Sequence, residues 1–191
     1  MANCPPYGCY DPWTDAGELE LCPTQKTGGI NAAILLRCGI TPADVLDDYD
    51  TDLLDNDKIE ALIANGDAKL VSGIQVTLNA PSEITAATGD PCNPESAINY
   101  DRTATWQDYN VNRVRSLFYD SINSVGGYPL GGMILNHCEE NMTTYVDARV
   151  RFSGGRQSPE DNTTSAFYEF NVTWRSKKDA GLFDQSLDVF A

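Results

Sequence analysis

Positive charge is scarce in this 191-residue chain: 13 Lys and Arg stand against 28 Asp and Glu, a formal net charge of −15. A surface of that sign repels phosphate backbones and anionic lipid headgroups, which argues against general nucleic-acid binding and membrane adsorption. Histidine is scarcer still, with His137 alone. A Ser-His-Asp or Cys-His site would have to use it, and no Gly-x-Ser-x-Gly elbow accompanies it. No apolar run approaches the roughly 18 residues that span a bilayer. The opening Met1-Ala2-Asn3-Cys4-Pro5-Pro6-Tyr7 has neither a basic nor an apolar leader segment. The expectation is therefore synthesis in the cytoplasm with reduced thiols, and little meaning for the Asn-x-Thr sequons at Asn141, Asn162 and Asn171. Gly126-Gly127 and Gly131-Gly132 lack the Gly-Lys-Ser/Thr ending of a phosphate loop.

What remains is a composition of 41% apolar and 21% charged residues, ordinary for a folded chain of one domain. Residues 1–27 hold Cys4, Cys9 and Cys22 and lack apolar periodicity, so they read as an extended Cys/Pro-rich arm. Residues 28–191 read as one β-rich domain. Ile30 to Leu36 is a short buried strand, and Thr41-Pro42-Ala43-Asp44 is a helix start. A second short helix runs from Asn56 or Asp57 through Ile63 and stops at Asn65-Gly66. Leu70 to Leu78 alternates as a strand with Leu70, Ser72, Ile74, Val76 and Leu78 on one face, whereas Asn79 to Asn99 reads as loop.

Arg102 to Gln107 is a further strand. The main amphipathic helix covers Asn112 to Val125, with Val114, Leu117, Phe118, Ile122 and Val125 on its apolar face. Gly131 to Asn136, Thr144 to Phe152 and Ala166 to Trp174 complete the strands. Between the last two lies a long polar hairpin loop, Ser153 to Thr164. The total is roughly six or seven strands and two or three helices, an α+β, mainly β fold: an antiparallel sandwich or barrel with one main packed helix.

Two clusters invite a metal reading. The run Asp47 to Asp57 has Asp48, Asp50 and Asp52 at the spacing that opens a calcium loop. It then places Leu53 where glycine is required and Ile59 where the bidentate Glu belongs, so carboxylates capping two short helices are the better account. Cys4, Cys9 and Cys22 offer three thiolates for zinc, with a fourth ligand from Cys38, Cys92, Cys138 or His137. Their spacing is not that of paired knuckles, and small buried thiols are the better account. No cofactor is expected and no enzyme is read here. Carboxylates abound, yet no pair stands out for glycoside hydrolysis.

The terminal strand pair with its polar loop, the single helix before it and the acidic balance together resemble tail-tube-type structural proteins of tailed bacteriophages. The start Cys4-Pro5-Pro6-Tyr7-Gly8-Cys9 running into Gly28-Gly29-Ile30 is similar to small virion proteins of phages that infect Bacteroidetes. The resemblance implies a virion location, with assembly in the host cytoplasm. It implies a homo-oligomeric ring, stacked with its like into a tube and meeting other virion proteins. DNA would pass an acidic lumen without specific binding. The contacts expected on this reading are Gly154, Gly155, Arg156, Gln157 and Pro159 of the loop, together with the N-terminal arm. The cysteines and the arm fit a head-decoration, vertex or head-to-tail connector protein as well. A carbohydrate- or protein-binding β-sandwich module is a further class, with Trp13, Tyr49 and Tyr128 as candidate contact aromatics.

Overall fold

The computed structural model describes residues 29–50, 52–90, 93–123, 130–137, 142–158, 165–176 and 179–190, and the side chains of 85–98 are outside that description. Among the described residues there are nine strands: β1 (Ile30–Arg37), β2 (Ala68–Leu78), β3 (Ser82–Asp90), β4 (Asn93–Asp108), β5 (Leu130–His137), β6 (Met142–Val146), β7 (Arg151–Gln157), β8 (Phe167–Arg175) and β9 (Gly181–Phe183). Two α-helices accompany them, α1 (Asn56–Ala64) and α2 (Arg113–Asn123), with single 3-10 turns at Pro42–Asp44 and Asp188–Phe190. The fold is α+β, mainly β, with every strand pairing antiparallel.

The strands follow the order β7-β8-β4-β2-β1-β5-β6-β9, with β3 off this path and paired to β4. Closure comes from β6 and β7, two halves of one bent segment. β6 pairs with β5 and β7 with β8, while an isolated bridge joins Leu130 to Val150 at the bend. The path through β1, β2, β4, β8, β7 and β5 thus returns on itself as a barrel, which leaves few strand edges unpaired. Thr144 to Phe152 is therefore not one straight strand. It breaks at 147–149, where the segment changes partners.

Alternation puts Ala104 and Trp106 of β4, Phe152 of β7 and Tyr168, Phe170, Val172 and Trp174 of β8 inside. Trp106 meets Phe152 edge to face at 5.1 Å between centroids. β2 departs from the single-face expectation. Gly73 takes φ +70 and the register with β1 shifts, so Val71 and then Ile74 and Val76 all reach the interior. β1 is apolar on both faces because both are covered. Ala33 and Leu35 point into the barrel, whereas Ile34 and Leu36 join a second core with Val45, Leu54, Ile59, Ile134, Phe183 and Leu187. The segment after β9 is fastened there by Gln185, whose side chain accepts from Leu54 N and donates to Leu54 O, both at 2.9 Å.

Asn79 to Asn99 is a correction to the sequence reading. Asn79 to Pro81 are outside any strand, but from Ser82 the stretch is the β3–β4 hairpin rather than loop, and β4 continues from it without interruption into the barrel. Its Ala, Pro and Asp content conceals the β-branched Ile84, Thr85 and Thr88, and no apolar alternation marks a strand there.

Candidate functional site

The densest polar chemistry lies where α2 meets the end of β4. Asp108, the last residue of β4, is fully buried, and Arg115 and Tyr119 stand one turn apart on α2, each about 1% exposed. The Tyr119 hydroxyl donates to Asp108 Oδ2 at 2.7 Å and accepts from Trp106 Nε1 at 2.9 Å. Arg115 Nη1 pairs with Asp108 Oδ2 at 3.1 Å, and its Nη2 donates to Ser72 O at 2.7 Å. That carbonyl lies beyond the last β2–β4 pair, Ile74 with Asp108, so the guanidinium takes the place of the missing strand. Asn112 caps α2 by accepting from Arg115 N at 2.8 Å.

Burial pushes the Asp108 carboxyl up, against the opposing pull of Arg115 and the Tyr119 hydrogen bond. Burial, and then the Asp108 charge, push the Tyr119 phenol well above its usual range. Removing one member of such a sealed pair costs about 3–5 kcal/mol, against about 0–1 kcal/mol for an exposed pair such as Arg175 with Asp101. The carboxylate is out of a substrate's reach, so the arrangement ties α2 to the barrel. In the sequence, Arg115, Phe118, Tyr119 and Ile122 follow the i, i+3, i+4, i+7 stripe that Leu117 was expected to share. Leu117 instead is 47% exposed, because the buried stripe lies about Arg115 and Phe118.

The acidic run is organised around a lysine. Lys58 Nζ donates to Asp48 Oδ1 at 2.6 Å, Leu46 O at 2.8 Å and Ala43 O at 3.1 Å, and the Asp48 hydrogen bond raises its pKa. Asp47 Oδ1 accepts from the backbone of Tyr49 and Asp50, and Asp55 caps α1 through Lys58 N at 3.1 Å. Asp44 forms a capping box with Thr41, whose hydrogen bonds hold its carboxyl below the usual value. No grouping of three or more His, Cys, Asp or Glu fit for a metal occurs among the described residues.

Cys4, Cys9 and Cys22, like the rest of the 1–27 arm, lie outside the described residues, as does Pro159. Cys38 is disulfide-bonded, which corrects the expectation of reduced thiols. An argument from compartment is blind to which thiols folding brings within bonding reach. His137 shares a 2.8 Å hydrogen bond with Thr144 Oγ1 across β5 and β6. Gly154, Gly155, Arg156 and Gln157 belong to β7 rather than to a loop, paired with β8 as far as Gln157 opposite Phe167. The Gly154 carbonyl is taken by Asn123 Nδ2 of α2 at 2.9 Å. Arg156 and Gln157 are exposed.

Among the described residues the hairpin is the element that leaves the barrel. β8 accompanies β4 only from Asp101 onward and β2 only from Ala104, so Asn93–Asn99 pair with β3 alone among the described residues. β3 in turn has no second strand neighbour among the described residues. Among the described residues a two-stranded ribbon of roughly 23 Å thus runs past the barrel with an unpaired edge on each side. Between Ser82 and Asp101 it carries Glu83, Asp90, Glu95 and Asp101 and no basic residue. Comparison with protein-family models, curated proteins and solved structures found no match.

Proposed function

We propose that this chain is a non-enzymatic structural subunit that assembles with copies of itself into rings, of the kind stacked in the tail tube of a bacteriophage. The observation that carries this reading is the β3–β4 ribbon. A lone two-stranded ribbon is marginal in water, and open strand edges are templates for another chain. Keeping nine residues of β3 in that state is understandable where a neighbouring subunit completes the pairing. A heterologous contact of this type closes into a ring when its rotation permits. The −15 charge then gives an assembled wall that DNA passes without adhering.

The test is light-scattering chromatography with negative-stain electron microscopy across protein and salt concentration. It compares the full chain with a variant in which 84–98 is replaced by a short turn. Rings or tubes from the full chain and monomers from the variant, both with cooperative unfolding, support the reading. A monodisperse monomer under every condition sinks autonomous assembly and favours a decoration or connector role.

A further inference from the structure

We propose that the cleft at the β6–β7 bend is a binding site for an aliphatic cation, an ammonium or guanidinium carried on an apolar stem. The cleft measures about 330 Å³, the size of a small-ligand site, and opens where the bent segment leaves β5 for β8. Leu46, Val146, Ala180 and the Trp174 ring give it apolar walls, with Tyr145 and Asp147 beside them, and the buried Trp174 Nε1 has no hydrogen-bond partner among the described residues.

Three observations set the sign of the ligand. Tyr145 is only 5% exposed, and its hydroxyl has no hydrogen-bond partner among the described residues although it lines the cleft. Asp147 follows two residues later and likewise has neither hydrogen bond nor ion pair among them. The other lining carboxylate, Asp179, is already claimed by Arg102. The two unpartnered groups sense one another, since the Asp147 charge helps to push the Tyr145 phenol up, after burial. A phenol oxygen and a carboxylate over apolar walls match an ammonium head that donates to both, with its methylenes against Leu46, Val146 and Trp174. An anion would meet Asp147 and be repelled.

The same chemistry occurs in a free amine and in a lysine or arginine side chain of another protein, so the experiment carries both. Isothermal titration of the full chain with cadaverine, with acetyl-lysine-amide and with 1-pentanol separates charge from stem. Binding of cadaverine at about millimolar affinity or tighter, with pentanol at least about tenfold weaker, is expected. D147N should weaken cadaverine about tenfold and Y145F several-fold, with unchanged circular dichroism. Equal binding of acetyl-lysine-amide assigns the site to a protein side chain, and preference for cadaverine assigns it to free amines; either supports the proposal. Cadaverine no tighter than pentanol, or undiminished affinity in D147N, overturns it. Affinity that emerges only in a K177Q/K178Q variant also overturns it, in favour of the chain's own lysines.

Discussion

Tyr119 joins Asp108 to Trp106: one hydroxyl donates to the carboxylate at 2.7 Å and accepts the indole hydrogen at 2.9 Å. Both neighbours are fully buried, so neither has water as a substitute partner. Replacing Tyr119 with Phe keeps the tilted ring contact with Phe170, 4.7 Å between centroids, and strands the Trp106 donor. The expected cost is about 1–3 kcal/mol of unfolding free energy, read from urea titrations. Loss of less than a few tenths would mean that the hydroxyl is dispensable to the junction.

The acid at the centre of that junction sets a pH dependence. The folded-state pKa of Asp108 is raised above its ordinary 3.8, burial being the largest cause. The folded protein therefore binds the proton more tightly than the unfolded chain. The stability this confers is full below the unfolded value and is lost as pH rises through the folded one. Wild type should lose stability relative to D108N as pH rises above the ordinary carboxylate value, followed by denaturant titration at each pH. The opposite slope would show that the Arg115 field outweighs burial.

The strands that cover core were legible because burial writes a period into them. β8 alternates from Tyr168 to Trp174, and β1 is a continuous apolar run because both of its faces are covered. Three features were not legible. β3 and the distal half of β4 carry no apolar alternation in the sequence, so no period marked them. The break between Val146 and Val150 keeps its apolar residues in apparent alternation while the segment changes partners, and local pattern carries no record of which strand lies alongside. The buried Arg115 lay on the helix stripe in plain view, yet a charged residue is not counted as core until its acid is known. The cleft depends on that same bend and on the return of residues 179–181, so nothing local announced it either.

Gly154 and Gly155 differ in what a side chain would meet. Gly154 takes φ +154, and a Cβ there would sit 2.2 Å from Glu169 O and 2.8 Å from Phe170 Cα, both backbone atoms of β8. A Cβ on Gly155 meets nothing within 4 Å. G154A should therefore destabilise by roughly 2–4 kcal/mol, whereas G155A stays within about 0.5 kcal/mol of wild type. Thermal unfolding of the pair makes the comparison. A loss of assembly in G154A would then report the fold, and only G155A, R156A or Q157A can report a surface contact in β7.

Cys38 gives a prediction from strand geometry alone. It follows Arg37 at the end of β1, which pairs with Leu130. Cys138 follows His137, which pairs with Ile30 at the opposite end of the same strand. Some seven residues of extended chain, roughly 23 Å, separate those ends, against the 4.4–6.8 Å between Cα atoms that a disulfide allows. Cys92 falls between Asp90 and Asn93, the final pair of the ribbon, which leads away from the barrel at the end where β2 finishes rather than begins. The expected partner of Cys38 is therefore one of Cys4, Cys9 and Cys22. Proteolysis without reductant followed by mass spectrometry should recover the Cys38 peptide joined to one from residues 1–27. Recovery of a Cys38–Cys138 peptide would require β1 and β5 to be paired in another register.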